Sequence, residues 1–223
     1  MAIKNILSVP AVPNFPNGGK DYDIRYQNEL NNVIRLYLNR LGGAVQSLVS
    51  PEDGGNYLAF PHVAASDTTN QYATAANTAT KVTWNTEESN SGFTFTTSSS
   101  AICQYKGIYK ITYSLQFANN DNAIHNANVW LKVNNVDVTR SATYFSVPAR
   151  KSVGNPSYVC AYSEVVFSAE SNDVITLYWA TDQAATSGGA TGVYIFADVA
   201  QTVPYARPAI PSAIGSIIFV SNS

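Results

Sequence analysis

GIYKITYSLQF, Gly107 to Phe117, decides the class of this chain. Its residues alternate in character with a period of two, which is the signature of a β-strand whose two faces meet different surroundings. The same period extends outward on both sides. Upstream lie VTW (Val82 to Trp84), FTFTT (Phe93 to Thr97) and AICQY, closed by a turn at Lys106-Gly107. Downstream, the polar cluster Asn119 to Asn122 breaks the pattern. NVWLKV (Asn128 to Val133) and VDVTRS then flank Asn134-Asn135, a pair that tolerates positive φ and suits a hairpin turn. After a Pro/Gly-rich loop around Pro148 to Pro156 come YVCAYSEVVF, the turn AESND, VITLYWA and GVYIFADVA (Gly192 to Ala200). Strands punctuated this way, with no intervening helical period, predict an all-β fold: an antiparallel jelly-roll sandwich of about 8 to 10 strands.

The start of the chain has a different period. Between Asp21 and Leu41, Tyr26, Leu30, Val33, Tyr37 and Leu41 recur at helical spacing, with Asn28, Asn31, Asn32, Arg35 and Asn39 opposite. Asp21 is the expected N-cap, Asp21 and Asp23 favour the helix dipole, and Gly42-Gly43 is the expected stop. The stripe is too short to be stable unaided, so it needs a partner or a docking surface. Four segments result: an extended Pro/Gly-rich arm over 1–20, the amphipathic helix over 21–43, an irregular or weakly stranded connector over 44–80, and the sandwich over 81–223. At the far end, PAIPSAIGSIIFVSNS holds an apolar run that is an aggregation hazard if unpaired, so it is expected to dock, either as a strand added to the sheet or in a neighbouring subunit.

Charged residues make up 13% of the chain, about half of the roughly 25% usual in globular domains. Asn, Ser, Thr, Gly and Tyr must therefore cover its surface, and such a surface is cheaply desolvated by neighbours. A net charge of −2 supplies no basic footprint for nucleic acid. Pro10, Pro13 and Pro16 interrupt the amino terminus, which does not read as a signal peptide, and no stretch reads as a bilayer span. Cys103 and Cys160 both fall in expected strands and read as two buried, reduced side chains, with a single disulfide between them as the alternative. No acceptor site for N-glycosylation occurs.

Catalytic chemistry is sparse. His62 and His125 lack metal-ligand spacing to other donors, and no nucleotide-binding or nucleophile motif appears. The Asn119 to Asn122 loop reads as a solvated turn rather than a calcium loop. A hydrolase would need converging carboxylates, and Glu164, Glu170, Asp173 and Asp182 sit where strands and turns give them no reason to converge. No cofactor or metal is expected. Tyr105, Tyr109, Tyr113, Phe117, Tyr178, Trp179, Tyr194 and Phe196 are assigned to a sandwich core and an oligomer interface. Tyr26, Leu30, Val33, Tyr37, Leu41, Tyr109, Tyr113 and Phe117 are the expected interface residues. Trp84 and Trp130 are candidates for stacking on sugar rings if exposed.

GIYKITYSLQF, the strand NVWLKVN ending at Asn134 and SNDVITL (Ser171 to Leu177) resemble the Gly-x-Tyr strand, the Asn-turned strand and the Gly-Asp-x-Val-x-Leu strand of complement-globular-head and tumour-necrosis-factor-like jelly rolls. Ser171-Asn172 stand where that family more often has Ala-Gly. The resemblance covers about residues 95–200 and implies a ten-stranded sandwich that assembles as a trimer. YDIRYQNELNNVIRLYLNRL and ARPAIPSAIGSIIFVSN resemble segments flanking this head in virion structural proteins of tailed bacteriophages. That implies a non-enzymatic particle component: a trimeric capsid decoration or cement protein, made in the host cytoplasm and located in the virion. Its implied partners are copies of itself and the major capsid protein or tail proteins. The alternative is a tail fibre, knob or adaptor whose head binds a host glycan.

Overall fold

The computed structural model describes residues 13–15, 23–49, 61–96, 99–187 and 191–222. It divides into two units, residues 1–59 and 60–223. Among the described residues the first contains one helix, α1 (Ile24–Val49). Asp23 caps it: Arg25 N–H donates to Asp23 Oδ1 at 2.8 Å, and Gln27 N–H donates to the Asp23 carbonyl at 3.0 Å. Asp21, PEDGG and all of the expected arm except residues 13–15 lie outside the described residues.

The helix does not stop at Gly42-Gly43. A glycine stop requires a left-handed residue, and neither glycine takes positive φ. Each costs the helix about 1 kcal/mol relative to alanine, but the stripe resumes beyond them at half-buried Ala44. Tyr26, Leu30, Val33, Tyr37 and Leu41 are likewise half-buried, while Ile24, Ile34, Leu36 and Leu38 are exposed.

The second unit is a sandwich of two seven-stranded antiparallel sheets. In chain order its strands are β1 (His62–Asp67), β2 (Gln71–Tyr72), β3 (Thr80–Lys81), β4 (Thr86–Ser91), β5 (Phe93–Thr96), β6 (Ser100–Cys103), β7 (Gly107–Asn119), β8 (His125–Val133), β9 (Val136–Asp137), β10 (Thr143–Val147), β11 (Ser157–Ala169), β12 (Val174–Thr181), β13 (Val193–Ile195) and β14 (Ala213–Ser221). The first sheet runs β4-β1-β14-β7, with β11 pairing along the whole of β7 and β13 then β2 continuing from the end of β7. The second runs β10-β8-β12-β6-β5, with β3 on β12 and β9 on β8. The chain crosses between sheets after β2, β3, β4, β6, β7, β10, β11 and β12, in the manner of a jelly roll.

Both inner faces meet in one core. Tyr109, Tyr113, Leu115 and Phe117 of β7 face Val129 and Leu131 of β8 and Leu177 and Trp179 of β12, with the Phe117 and Trp179 rings 5.6 Å apart. The Gly-x-Tyr opening of β7 has a steric cause: a Cβ on Gly107 would lie 2.6 Å from the Phe219 ring. Phe219 in turn packs edge-on against Tyr109 at 5.6 Å. The apolar tail is thus a strand in the middle of the first sheet, between β1 and β7. Turn chemistry follows the sequence as well. Asn134 and Asn135 take φ of 51° and 63° in the two-residue loop joining β8 to β9, and Asn172 adopts φ of 71° where the resembled family uses glycine.

The expected connector over 44–80 is not one segment. The helix occupies its start, and β1 is a full strand with neighbours on both sides, placing the first strand some twenty residues before the expected boundary at 81. HVAASD carries little strand propensity of its own, and its place comes from pairing with β14 and β4. Two further strands, TEESNS (β4) and TYFSV (β10), form in stretches to which the sequence pattern assigned no element. VTW is not a strand, although Val82 N–H still reaches the Leu177 carbonyl at 2.9 Å.

Candidate assembly interface

Tyr109, Tyr113 and Phe117, expected at an oligomer interface, are at most 1% exposed inside the single chain and cannot form one. The register explains the correction. The odd positions of β7 point inward; the outward set is Ile108, Lys110, Thr112, Ser114 and Gln116, whose polarity was the signal of the side that leaves the core. Burial raises the pKa of the Tyr109 and Tyr113 hydroxyls, so neither is an acid-base group at neutral pH.

The outer face of the first sheet is the surface that sequence reasoning missed. Side chains directly opposite across paired strands share a face. One row reads Tyr162, Ser114, Ile214, Ser66; the next Glu164, Thr112, Ser216, Ala64; the next Val166, Lys110, Ile218, His62. Tyr158, Tyr162, Val166, Ile214 and Val220 remain 45–60% exposed. At the end nearest Tyr158 the face continues as an aromatic cluster. Tyr158 lies 4.9 Å from Phe196, Phe196 6.2 Å from Tyr194, and Tyr194 stacks on Tyr72 at 5.5 Å. Burial raises the Tyr158 and Tyr194 pKa values, which keeps this cluster neutral.

Polar groups on the face make local contacts. Lys110 pairs with Glu164 at 3.2 Å, His62 hydrogen-bonds Ser89 Oγ at 2.8 Å, and Ser66 Oγ donates to Glu88 Oε1 at 2.6 Å. A wide sheet face on which exposed tyrosine, valine and isoleucine side chains stand among small hydroxyl residues and one Lys–Glu pair is the kind of surface that a neighbouring subunit covers. Cys160 also lies on it, beside Ser114 Oγ at 3.2 Å, and is exposed, contrary to its expected burial; Cys103 is buried, and the two are unpaired. Both faces of β11 carry apolar residues, so alternation alone could not tell which faces out.

The carboxylates considered for hydrolysis are engaged separately. Glu164 pairs with Lys110 and Glu170 with Lys106. Asp173 accepts from Glu170 N–H and Asn134 Nδ2, both at 2.7 Å. Asp182 accepts from Asn126 and lies 3.2 Å from His125 Nδ1, whose other ring nitrogen meets Asp121 Oδ2 at 2.9 Å. In the Asn119 to Asn122 loop, Asn119 is buried and donates to the Ala123 and Pro148 carbonyls, each at 2.9 Å, while Asp121 accepts from Asn122 N–H. Those oxygens hold the loop together. Trp84 is half-buried with its ring over Gly215, where it is part of the packing. Trp130 is half-exposed on the opposite sheet.

No family model and no curated protein matches this chain. Among solved structures it is similar to the globular domain of a zebrafish complement 1qA protein, at 14% identity and a TM-score of 0.43, covering 74% of this chain and 99% of that one. It is also similar to the Eiger TNF of S. frugiperda, at 9% identity and a TM-score of 0.45, over 74% of this chain and 95% of that one.

Proposed function

We propose that this chain is a non-enzymatic structural protein of a tailed-phage particle, a homotrimer that decorates and stabilises the capsid shell. The observation that carries the assembly role is the set of exposed apolar side chains on the outer face of the first sheet, centred on Tyr162, Val166 and Ile214. Buried by a second and third copy, that face becomes the inside of a trimer. The half-buried stripe of α1 supplies a second apolar surface, and a helix of this kind gains its stability by packing. The resemblance of the helix segment and the closing strand segment to virion proteins supports the particle assignment.

The work done is mechanical. A trimer that binds assembled shell and not its free subunits shifts the equilibrium toward the shell, and its low surface charge suits close packing against neighbours. Quantitative mass spectrometry of purified particles tests this: a copy number comparable to the major shell protein is expected, with added protein rebinding particles stripped of it. A copy number far below that of the shell moves the chain to the tail, and absence from the particle refutes the virion assignment.

A further inference from the structure

The outer face of the second sheet is built differently from that of the first. Trp130 and Tyr178 stand directly opposite each other on β8 and β12, with ring centroids 6.2 Å apart and planes tilted by only 30°. Together they form a nearly continuous aromatic floor. The indole is held in place by Nε1, which donates to Asp137 Oδ1 at 2.7 Å. Lys132 Nζ bridges to the same carboxylate at 3.1 Å and sits 4.9 Å from the Tyr178 ring centroid. Those interactions hold the Asp137 carboxyl below its ordinary range, the Lys132 hydrogen bond contributing most.

Beside this floor, Asn128 stands between Tyr144 and Ala180 in the adjoining cross-strand row. The small Ala180 side chain leaves a step next to the rings. Tyr144 is 63% exposed. The side-chain amide of Asn128 and the hydroxyls of Tyr144 and Tyr178 have no hydrogen-bond partner among the described residues.

We infer that this face is a saccharide-binding platform, with the apolar face of a pyranose ring stacked on Trp130 and flanked by Tyr178, whose ring carries the Lys132 ammonium. Asn128 and Asp137 then meet its hydroxyls at either side. The chemistry favours a sugar over a protein partner because the aromatic floor is narrow and rimmed by groups that both donate and accept hydrogen bonds. The first sheet, by contrast, spreads its exposed apolar side chains across a broad face. The Lys132–Asp137 pair is internally compensated, and Lys81, opposite Tyr178 on β3, donates to Ser100 Oγ at 3.2 Å. The inference goes beyond the assembly role and is independent of it.

The test is native affinity electrophoresis of the full chain in gels containing laminarin, hydroxyethylcellulose, xylan, dextran or mannan, with tryptophan emission followed during titration. Retardation by at least one polysaccharide is expected, with affinity falling about tenfold or more in Trp130→Ala. Tyr144→Ala, at an exposed position that leaves the fold intact, should weaken binding of the same polysaccharide. Lack of retardation by any of the five overturns the inference, as does retardation that both variants retain. Sedimentation of the same samples separates the two readings. Trp130→Ala should keep the oligomeric mass of the parent; a lowered mass without sugar binding would make this face a protein interface instead.

Discussion

Replacing Val166 by serine perturbs the proposed interface without touching the core. Val166 is 60% exposed on the outer face of β11, in the row it shares with Lys110 and Ile218. Complete burial of a valine side chain is worth about 1.5–3 kcal/mol, so covering the exposed part contributes about 1 kcal/mol per copy. Three copies in a trimer lose about 3 kcal/mol together, a change on the order of a hundredfold in the dissociation constant. Monomer stability should shift by no more than about 0.5 kcal/mol, because the side chain leaves the sheet on the solvent side. Sedimentation equilibrium over a dilution series measures the association, and urea unfolding checks the fold. Val153→Ser, at a loop position 83% exposed, serves as the control. If Val166→Ser dissociates at the same concentration as the parent and the control, this face is not the assembly surface.

Four further outcomes are expected. Leu30→Asp together with Tyr37→Asp should weaken assembly, because carboxylates would enter the helical stripe; an unchanged solution mass would remove the helix from the interface. Gly107→Ala forces a Cβ to within 2.6 Å of the Phe219 ring and should cost about 1–3 kcal/mol by urea midpoint, with an unchanged midpoint refuting the close approach. Cys160 should resist alkylation by a small maleimide in the assembled protein and react on dilution to monomer, while Cys103 reacts only on unfolding; equal Cys160 reactivity in both states contradicts the interface. The hydrogen bond from His125 depresses the Asp121 pKa, so its contribution is present above the ordinary carboxylate range and lost as pH falls through the lowered value. Asp121→Asn should therefore flatten the acid limb of a stability-against-pH curve, and an unaltered limb would show that this contact is energetically silent.

The sandwich was legible because its longest strands alternate without ambiguity and its turns use residues with a specific backbone need, as at Asn134-Asn135. Which face of a strand is buried was less so. β7 declares its sides through Lys110, Thr112, Ser114 and Gln116, yet β11 places Tyr162 and Val166 on one side and Val165 and Phe167 on the other. Only its pairing with β7 decides between them. Strands made of small or polar residues, such as β1 and β4, depend on neighbours remote in sequence, and no local pattern marks them. Gly42-Gly43 reads as a stop because glycine usually ends helices by adopting positive φ; here the stripe continues past it. Trp130 was identifiable as a stacking candidate, but its alignment with Tyr178 and Asp137 required the register of three strands.

Native mass spectrometry of the intact, purified chain tests the central claim most directly. A dominant species at three times the 24.0 kDa chain mass is the expected result. A species at the mass of one chain that persists as concentration is raised would contradict it.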